Sequence, residues 1–316
     1  MANPPGGTMD AGTSTETPAG TNVPGRTHPE GMPAGGSGRA DPTGRVEQVH
    51  GNHVLAFDEQ FDYPRSYVWE LLTSPPKLER WLGRLSPGLK LGKAFTLELD
   101  GGTISGTVVH IDPPTSAQFT WEDEFGLVSI VEIRVLPSNG GTLLQLRLHP
   151  ETDEFLAEGA AGWQLLLGAL RAAAAGVPAQ GPGTDWMELR DAYCRRYAIS
   201  PSMGVLEEED GVPLVRFDRR YEGKLLLVND ALTADPEDQP FVELAEVDLT
   251  REGKKCTRVT VRAVVEDREG LPLLMARWHA HLDAVAVNLA GGSSHRSERK
   301  IRVLEEFYRR QLQPAG

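Results

Sequence analysis

The stretch TLLQLRLHPETDEFLAEGAAGWQLLLGALRAAAAG, residues 142–176, decides the fold of this chain. Its first eight residues alternate between apolar and polar side chains, which is typical of a strand that buries one face. The rest predicts a long helix from about Thr152 to Ala175, ended by Gly176, because glycine readily adopts the left-handed conformation found after a helix. The helix face predicted to lie on a sheet consists of Phe155, Gly159, Trp163, Leu166 and Leu170.

The residues upstream of this stretch supply the rest of an antiparallel sheet. Residues 54–61, VLAFDEQF, alternate like a strand, and Pro64 then opens a helix, RSYVWELLT, with helical apolar spacing. A pair of prolines begins a second short helix in SPPKLERWLG. Further strand-like runs, separated by turn residues, occupy 94–100, 103–112, 116–123 and 127–136. This order predicts an α+β fold in which a curved antiparallel sheet wraps around the final helix.

The first 45 residues are predicted to form a disordered tail. Residues 1–44 contain 10 Gly and 7 Pro, and they contain no Leu, Ile or aromatic residue. A segment of this composition buries too little apolar surface to offset the conformational entropy lost on ordering.

The bulk composition predicts a soluble, acidic, cytoplasmic protein. Its 316 residues suit two domains better than one. The net charge of −13 repels phosphate backbones and argues against a nucleic-acid partner. The sequence contains no apolar run long enough to span a membrane and no secretory signal. Cys194 and Cys256 are its two cysteines, which suits a reducing compartment and gives no disulfide framework.

An internal repeat divides the ordered part of the chain. Phe217 falls on Phe57 at an offset of 160 residues, and two further blocks align in the same order at offsets of 114 and 115. The last block places Trp278 on Trp163 and Tyr308 on Tyr193. The step from 160 to 114 predicts that the second copy lacks about 46 residues, the second short helix and the next three strands.

The predicted domains are therefore a complete copy at 46–200 with a trailing helix and a shortened copy at 201–316 with its own trailing helix. Without the missing strands, the second copy is not expected to hold a ligand comparable to that of the first. It is expected to serve as a packing or partner-binding module and to make an oligomer possible, because a shortened sheet leaves an edge that needs cover.

Three runs in the first copy carry a family resemblance: VWELLTSPPKLERWLG, GTVVHIDPPTSAQFTWED and EGAAGWQLLLGAL. Together they resemble the activator of heat-shock-protein-90 ATPase homologue-like branch of the START-like (SRPBCC) superfamily. The resemblance covers Val54 to Gly176, and Trp186 to Tyr197 resembles a trailing segment found in this branch. It reaches residues 213–312 only through the internal repeat. It implies a helix-grip fold with an apolar cavity between sheet and helix, in a superfamily of lipid carriers, hormone receptors and aromatase/cyclases.

Strand alternation and the helix face together predict which side chains point into such a cavity. The predicted ligand-binding residues are Trp81, Phe95, Leu97, Phe119, Trp121, Ile133, Leu146, Trp163 and Leu166. Trp81 follows the Pro-Pro turn and is the best candidate for a gate, since an indole offers apolar area and one donor. All of these side chains can also serve as ordinary core, and a cavity of about 300–1,000 Å³ would favour ligand binding.

The sequence offers no convergent catalytic groups, metal site or cofactor motif. His279 and His281 are two residues apart on a predicted helix and point away from each other, so they cannot chelate one ion together. His279 is expected to form a solvated pair with Asp283, whereas His281 is expected to be a hydrogen-bonded core histidine. Cys194 and Cys256 have no adjacent histidine, which argues against covalent catalysis.

Three functions remain open in this order. The first is a non-enzymatic protein that binds an apolar small molecule in the first copy. The second is a protein-interaction module, including a co-chaperone-like one, in which the cavity is merely core. The third is an enzyme of cyclase or hydrolase type, which would require at least two polar groups that converge inside the cavity.

Overall fold

The computed structural model describes residues 41–99, 102–178, 185–234, 245–292 and 297–312. The tail predicted at residues 1–45 lies outside them as far as residue 40. Its last five residues belong to the first copy instead: the Thr43 N–H donates to Gln164 Oε1 at 2.9 Å, and Arg45 begins the first strand. Within the described residues no helix is long and apolar enough to cross a membrane.

The first copy is built on one sheet of eight antiparallel strands. Their order across the sheet is β1-β2-β8-β7-β6-β5-β4-β3. The strands are β1 Arg45–Val49, β2 Asn52–Phe61, β3 Arg84–Ser86, β4 Ala94–Leu99, β5 Gly102–Asp112, β6 Ser116–Glu122, β7 Val128–Ser138 and β8 Gly141–Pro150. Alternation of buried and exposed residues along β4, β7 and β8 gives the sheet one apolar face, as the sequence predicts.

Four helices accompany this sheet. They are α1 Arg65–Thr73, α2 Pro75–Leu78, α3 Leu156–Ala175 and α4 Trp186–Tyr197. The buried face of α3 packs into the same apolar cluster as the sheet, which confirms the predicted helix-grip fold. The predicted start of α3 at Thr152 is wrong, because Phe155 adopts a left-handed conformation with φ of 58° and the helix begins only after it.

The second copy repeats this plan in reduced form. Its four antiparallel strands have the order β11-β12-β10-β9. The elements are β9 Val205–Glu209, β10 Val212–Glu222, α5 Leu225–Leu232, β11 Ala245–Glu252, β12 Cys256–Val264, α6 Leu271–Leu289 and α7 Glu298–Gln311. In the part of the chain that the structure describes, α2 and β3 to β6 have no counterpart here. The sequence predicts that the second copy lacks a short helix and three strands. Among the described residues it lacks that helix and four strands, so the prediction is right in kind but misses one short strand.

Strand register confirms the repeat residue by residue. In the first sheet Leu146 on β8 lies opposite both Phe57 on β2 and Ile133 on β7. In the second sheet Val261 lies opposite both Phe217 and Val247. These three correspondences reproduce the offsets of 160, 115 and 114 obtained from the sequence. The turn between β11 and β12 also contains the one extra residue that the change of offset requires.

Each copy contains the same arrangement of hydrogen bonds around a tyrosine hydroxyl, which we call the tyrosine latch. In the first copy the Gly44 N–H donates to the Tyr193 hydroxyl at 2.9 Å, and that hydroxyl donates to Gln164 at 2.6 Å. In the second copy the Gly204 N–H donates to the Tyr308 hydroxyl at 3.2 Å, and that hydroxyl lies 2.8 Å from His279 Nδ1. Each latch ties the segment ahead of the first strand to the trailing helix.

Candidate functional site

A cleft opens at one end of the first copy, between the sheet and the start of α3. Its volume is about 140 Å³. The apolar walls come from β2, β6, β8 and α3, together with the loop before β7. They include Leu55, Trp121, Leu127, Leu148, Leu156 and Trp163. Gly159 also lines the cleft, and a Cβ added there would meet only Leu55, at 3.8 Å. A glycine on α3 therefore contributes to the open space.

Two tryptophans meet at this cleft. The ring centroids of Trp121 on β6 and Trp163 on α3 lie 5.2 Å apart, with an angle of 55° between the rings. Both side chains are only partly buried, because they border the open space as well as the core. The sequence placed them on the inward faces of a strand and a helix, and the fold brings those two faces together.

The other predicted ligand-binding residues lie elsewhere. Five of them are 3–7% exposed and fill the core of the grip: Phe95, Leu97, Phe119, Ile133 and Leu146. Trp81 is partly buried and donates its indole N–H to the Leu71 carbonyl at 3.0 Å, which fixes the ring against α1. Leu166 is half-buried and does not line the cleft. The space beside these seven side chains is thus mostly filled, and the cleft lies beside Trp121 and Trp163.

The carboxylates of the cleft, Asp123, Glu151 and Glu154, come from loops. Asp123 follows β6 and accepts hydrogen bonds at one carboxylate oxygen, Oδ1, from the N–H groups of Phe125 and Leu127, at 2.9 and 3.0 Å. Burial raises the pKa of Asp123 above its usual value, although these hydrogen bonds oppose the shift. Glu154 lies in the loop between β8 and α3, and its Oε1 is buried without a hydrogen-bond partner.

Glu154 also faces the second copy, where it joins a buried cluster of charged groups. The Lys300 ammonium on α7 lies 2.9 Å from Glu154 Oε2 and 2.9 Å from Asp283 Oδ2 on α6. His279 Nε2 lies 3.4 Å from Asp283 Oδ2 and 3.7 Å from Glu154 Oε1. Arg219 on β10 reaches Asp283 Oδ1 at 3.3 Å. This interface cluster connects the cleft to the second copy.

The interface cluster shifts the pKa values of its members. Burial, helped by the charge on Asp283, raises the pKa of Glu154 from 4.5 to about 7. Burial also lowers the pKa of His279 to about 3, so its imidazole is neutral at pH 7. Burial alone would raise the pKa of Asp283, but nearby positive charge outweighs burial and lowers the pKa below its usual value. Because His279 is neutral, we attribute this to Arg219 and Lys300.

Three groups of the cluster have the chemistry of metal ligands. The donor atoms of Glu154, His279 and Asp283 all lie within 4.8 Å of one another. A nitrogen and two carboxylates suit a divalent ion such as Zn²⁺. The Lys300 ammonium, however, contacts both carboxylates and already supplies the positive charge that they need. We therefore interpret the group as a charge-balanced cluster between the two copies.

His279 and Asp283 are paired as expected, at 3.4 Å, but the prediction that solvent surrounds this pair is wrong. His279 is fully buried, because position 279 corresponds to Gln164 of the first copy and contacts the trailing helix through Tyr308. The Phe155 ring covers it from the first copy, with ring centroids 5.0 Å apart. His281 is 3% exposed and packs edge-on against Trp278, which confirms its place in the core.

Sequence reasoning missed Asp123 and Glu154 because both lie in loops, where no periodicity indicates which way a side chain points. An acidic residue beside an aromatic one occurs in both loops, in Asp123–Phe125 and in Glu154–Phe155. The rings of Phe125 and Phe155 stack with centroids 4.9 Å apart. This pattern was a signal that the two loops meet.

Residues 62–175 match the family described as Activator of Hsp90 ATPase homolog 1-like protein. The match runs from the end of β2 to the end of α3 and so includes both tryptophans of the cleft. It confirms the branch that the three sequence runs resemble. No curated protein matches the chain.

Several solved structures resemble the chain. CalU16 from Micromonospora echinospora is 24% identical, with a TM-score of 0.40, over 49% of this chain and 92% of its own. MLL2253 from Mesorhizobium loti is 25% identical, with a TM-score of 0.36, over 39% of this chain and 97% of its own. DynU16, from the dynemicin biosynthetic locus, is 16% identical, with a TM-score of 0.39, over 75% of this chain and 97% of its own. Because these scores lie below 0.5, no conclusion about function follows from them.

Proposed function

Residues 62–175 of this chain form a domain of the Activator of Hsp90 ATPase homolog 1-like family, and from that premise we propose a non-enzymatic binding function. The first copy holds an apolar small molecule in the cleft between Trp121 and Trp163. The observation that carries this proposal is the composition of the cleft, whose walls are mainly leucine and aromatic side chains and whose carboxylates lie in the flanking loops. Ligand sites combine apolar walls with a few polar groups in this way.

The volume of the cleft limits the size of the ligand. Its 140 Å³ is below the range of about 300–1,000 Å³ that is typical of drug-sized ligands. It is close to an engineered cavity of about 150 Å³ that binds benzene. We therefore expect a single aromatic ring or a short aliphatic chain. The carboxylates that line the cleft, Asp123, Glu151 and Glu154, favour a ligand with one hydroxyl or amine donor.

Two glycine substitutions on α3 test the proposal. Gly159→Leu places a side chain in the cleft, and its Cβ meets nothing closer than 3.8 Å, so we expect the fold to tolerate it. Gly168→Leu is the matched control, since it puts the same side chain at an exposed position of the same helix. Titration of the full chain with toluene, phenol and benzylamine would be followed by tryptophan fluorescence.

We expect at least one of these probes to quench the fluorescence of the wild-type protein and of Gly168→Leu, and to leave Gly159→Leu unchanged. Equal quenching in both variants would place binding outside the cleft and contradict the proposal. Absence of a fluorescence change and of a thermal shift with all three probes would also contradict it. Native mass spectrometry before and after organic extraction would then identify a ligand carried from the cell.

A protein-interaction role is the second candidate, and one surface of the second copy favours it. Leu225, Leu226 and Leu227 at the start of α5 are 42%, 68% and 55% exposed. The corresponding residues of the first copy are Arg65, Ser66 and Tyr67, so the fold does not require leucine there. Exposed apolar patches of this kind are common at protein interfaces. Replacing all three leucines with serine should abolish capture of a partner without lowering the melting temperature.

An enzymatic role has less support. Three carboxylates line the cleft, but Glu151 is exposed, Asp123 Oδ1 accepts two backbone hydrogen bonds and Glu154 Oε2 accepts one from Lys300. The Glu154 pKa of about 7 suits a general acid or base, but one proton-transfer group is fewer than the two that this chemistry requires.

A further inference from the structure

A second cleft lies between α4 of the first copy and the outer face of the second sheet. Its volume is about 430 Å³, which falls within the range of small-molecule sites. Five arginines and two aspartates line it, and Glu207 and Glu252 pair with three of the arginines from its edge, which leaves a net charge of +1 in a protein of net charge −13. The arginines are Arg190, Arg195, Arg216, Arg220 and Arg258. We propose that this arginine cleft binds the phosphate group of a small phosphorylated molecule.

Several arginine donors of the cleft have no hydrogen-bond partner among the described residues. Arg190 is 2% exposed and directs Nε and Nη2 to Asp191, at 2.9 and 2.6 Å, but its Nη1 has no hydrogen bond. The buried Nε of Arg220 also has none. Arg195 forms no ion pair within the described residues. A buried guanidinium with an unused N–H is unfavourable unless a ligand oxygen accepts from it.

Two arginines on the second sheet lie close enough to repel each other, and a bound anion would reduce this repulsion. Arg220 and Arg258 lie directly opposite each other on β10 and β12, and like charges at such positions repel. Glu252 bridges them, at 2.7 Å from Arg220 Nη2 and 2.6 Å from Arg258 Nε. One carboxylate thus balances only half of the positive charge of the pair.

The fold itself does not demand these arginines. Arg216, Arg220 and Arg258 correspond to Ala56, Gln60 and Leu143 of the first copy, by the offsets that the strand register confirms. The same strand positions are therefore stable with neutral side chains.

Phosphate fits the cleft better than a single carboxylate does. Arginine presents planar N–H groups that match phosphate oxygens, and a phosphate monoester carries close to two negative charges at pH 7. Arg190 and Arg195 line the cleft from α4, and Arg216, Arg220 and Arg258 line it from the second sheet, so both walls present guanidinium groups. A cleft of this volume also leaves room for the organic part of a phosphate ester.

Matched arginine substitutions on one strand test this inference. Arg258 lines the cleft and Arg262 does not, although both lie on the outer face of β12 and each pairs with one carboxylate at 2.6–3.1 Å. Calorimetric titration of the full chain with phenyl phosphate, inorganic phosphate and benzoate at low salt would compare Arg258→Gln and Arg262→Gln. Because each variant loses one ion pair, their melting temperatures should agree, and a difference in binding is then a property of the site.

We expect phenyl phosphate to bind the wild type, and Arg258→Gln to weaken binding by about tenfold, the effect of one charge-assisted hydrogen bond. Arg262→Gln should stay within about twofold of the wild type. Inorganic phosphate that binds as tightly as phenyl phosphate would support the site and identify free phosphate as its ligand. Equal weakening in both variants, benzoate binding as tight as phenyl phosphate, or no heat with either phosphate probe would overturn the proposal.

Discussion

The two copies have the same latch but different surroundings at one end of the long helix. Gln164, Gly168 and Asp185 of the first copy correspond to His279, Asp283 and Lys300 of the second. The first set is half-buried or exposed and carries one charge. The second set is largely enclosed by the loop that contains Glu154, and it includes an ion pair. The repeated sequence pattern therefore determines the backbone fold of each copy, whereas contact with the neighbouring copy determines which side chains ionise.

A second difference concerns the sheets. The first copy retains β3 to β6, and the cleft uses β6 as one wall through Trp121. The second copy has no counterpart of that wall among the described residues, and its inner face is filled by an apolar cluster around Trp278. Ligand binding in the grip is therefore proposed for the first copy alone, and the second copy contributes a covering surface.

The largest effect should come from breaking the interface cluster. Lys300→Ala leaves two largely buried carboxylates without their shared cation, and we expect it to lower the free energy of unfolding by about 3 kcal/mol, the low end for a buried pair, because Lys300 is 34% exposed and Arg219 still contacts Asp283. Arg309→Ala on the same helix is the control. It removes exposed pairs with Glu305 and Glu306 and should cost at most about 1 kcal/mol. Urea denaturation measures both. Similar losses would show that the cluster contributes no more than surface charge.

The Lys300→Ala variant also tests whether Glu154, His279 and Asp283 bind a metal ion. Without the ammonium, Glu154, His279 and Asp283 can accept a divalent ion, so we expect Zn²⁺ to raise the melting temperature of Lys300→Ala. The wild type, in which Lys300 contacts both carboxylates, should show no such rise. Equal stabilisation of both proteins would mean that the wild-type cluster is itself a metal site.

Substitution of the glycine in either tyrosine latch should destabilise the protein by the same amount. A Cβ at Gly44 would lie 2.3 Å from the Phe57 ring, and one at Gly204 would lie 2.5 Å from the Phe217 ring. Each change to alanine should cost about 1–3 kcal/mol, as overpacking of a core does. Gly168→Ala, which meets nothing within 4 Å, should be neutral or slightly stabilising. Thermal unfolding compares the three variants, and unequal losses at the two latches would show that they are not equivalent.

The smallest effect concerns pH. The folded protein holds a proton on Glu154 up to about pH 7, whereas the unfolded chain loses it near 4.5, so this contribution to stability falls as the pH rises through 7. His279 acts in the opposite direction. Its pKa of about 3 in the folded state, against 6.5 when unfolded, means that stability falls as the pH drops below 6.5. The two slopes oppose each other in the wild type.

Single substitutions should separate these slopes. His279→Gln keeps the latch in the form that Gln164 uses, and relative to the wild type its stability should rise as the pH falls from 7 to 5. Glu154→Gln should show the reverse, with each slope at most about 1.4 kcal/mol per pH unit. Urea unfolding at pH 5, 6 and 7 measures both. Parallel curves for the two variants would mean that neither group changes its proton occupancy on folding.

The sequence predicts much of the fold because the fold depends on periodic patterns. Alternation along β8 and apolar spacing along α3 indicate the grip, and the repeat offsets anticipate the strand register at Phe217, Val247 and Val261. Gly44 and Gly204 occupy corresponding positions at the offset of 160. Sequence reasoning missed this correspondence, because a glycine contributes nothing to a pattern of apolar and polar residues.

The candidate site was less predictable, because it depends on what lies beyond each element. Trp121 and Trp163 follow from inward-facing positions, whereas a helical pattern cannot show whether His279 meets solvent or another copy. The arginine cleft is harder still. Its residues come from α4, β10 and β12, and each one taken singly is typical of a solvated surface.

The segment between α4 and β9 belongs to both copies at once. The Tyr197 hydroxyl donates to the Gly44 carbonyl at 2.8 Å and closes the first copy. The N–H groups of Ser202 and Met203 donate to Glu158 of the first copy at 2.7 and 2.8 Å, while the next residue, Gly204, is held by Tyr308 of the second. A gene cut before Ser202 would deprive the first copy of its contacts with Glu158. A cut after Met203 would instead separate the Arg220 N–H of the second copy from the Ser200 hydroxyl, to which it donates at 2.7 Å.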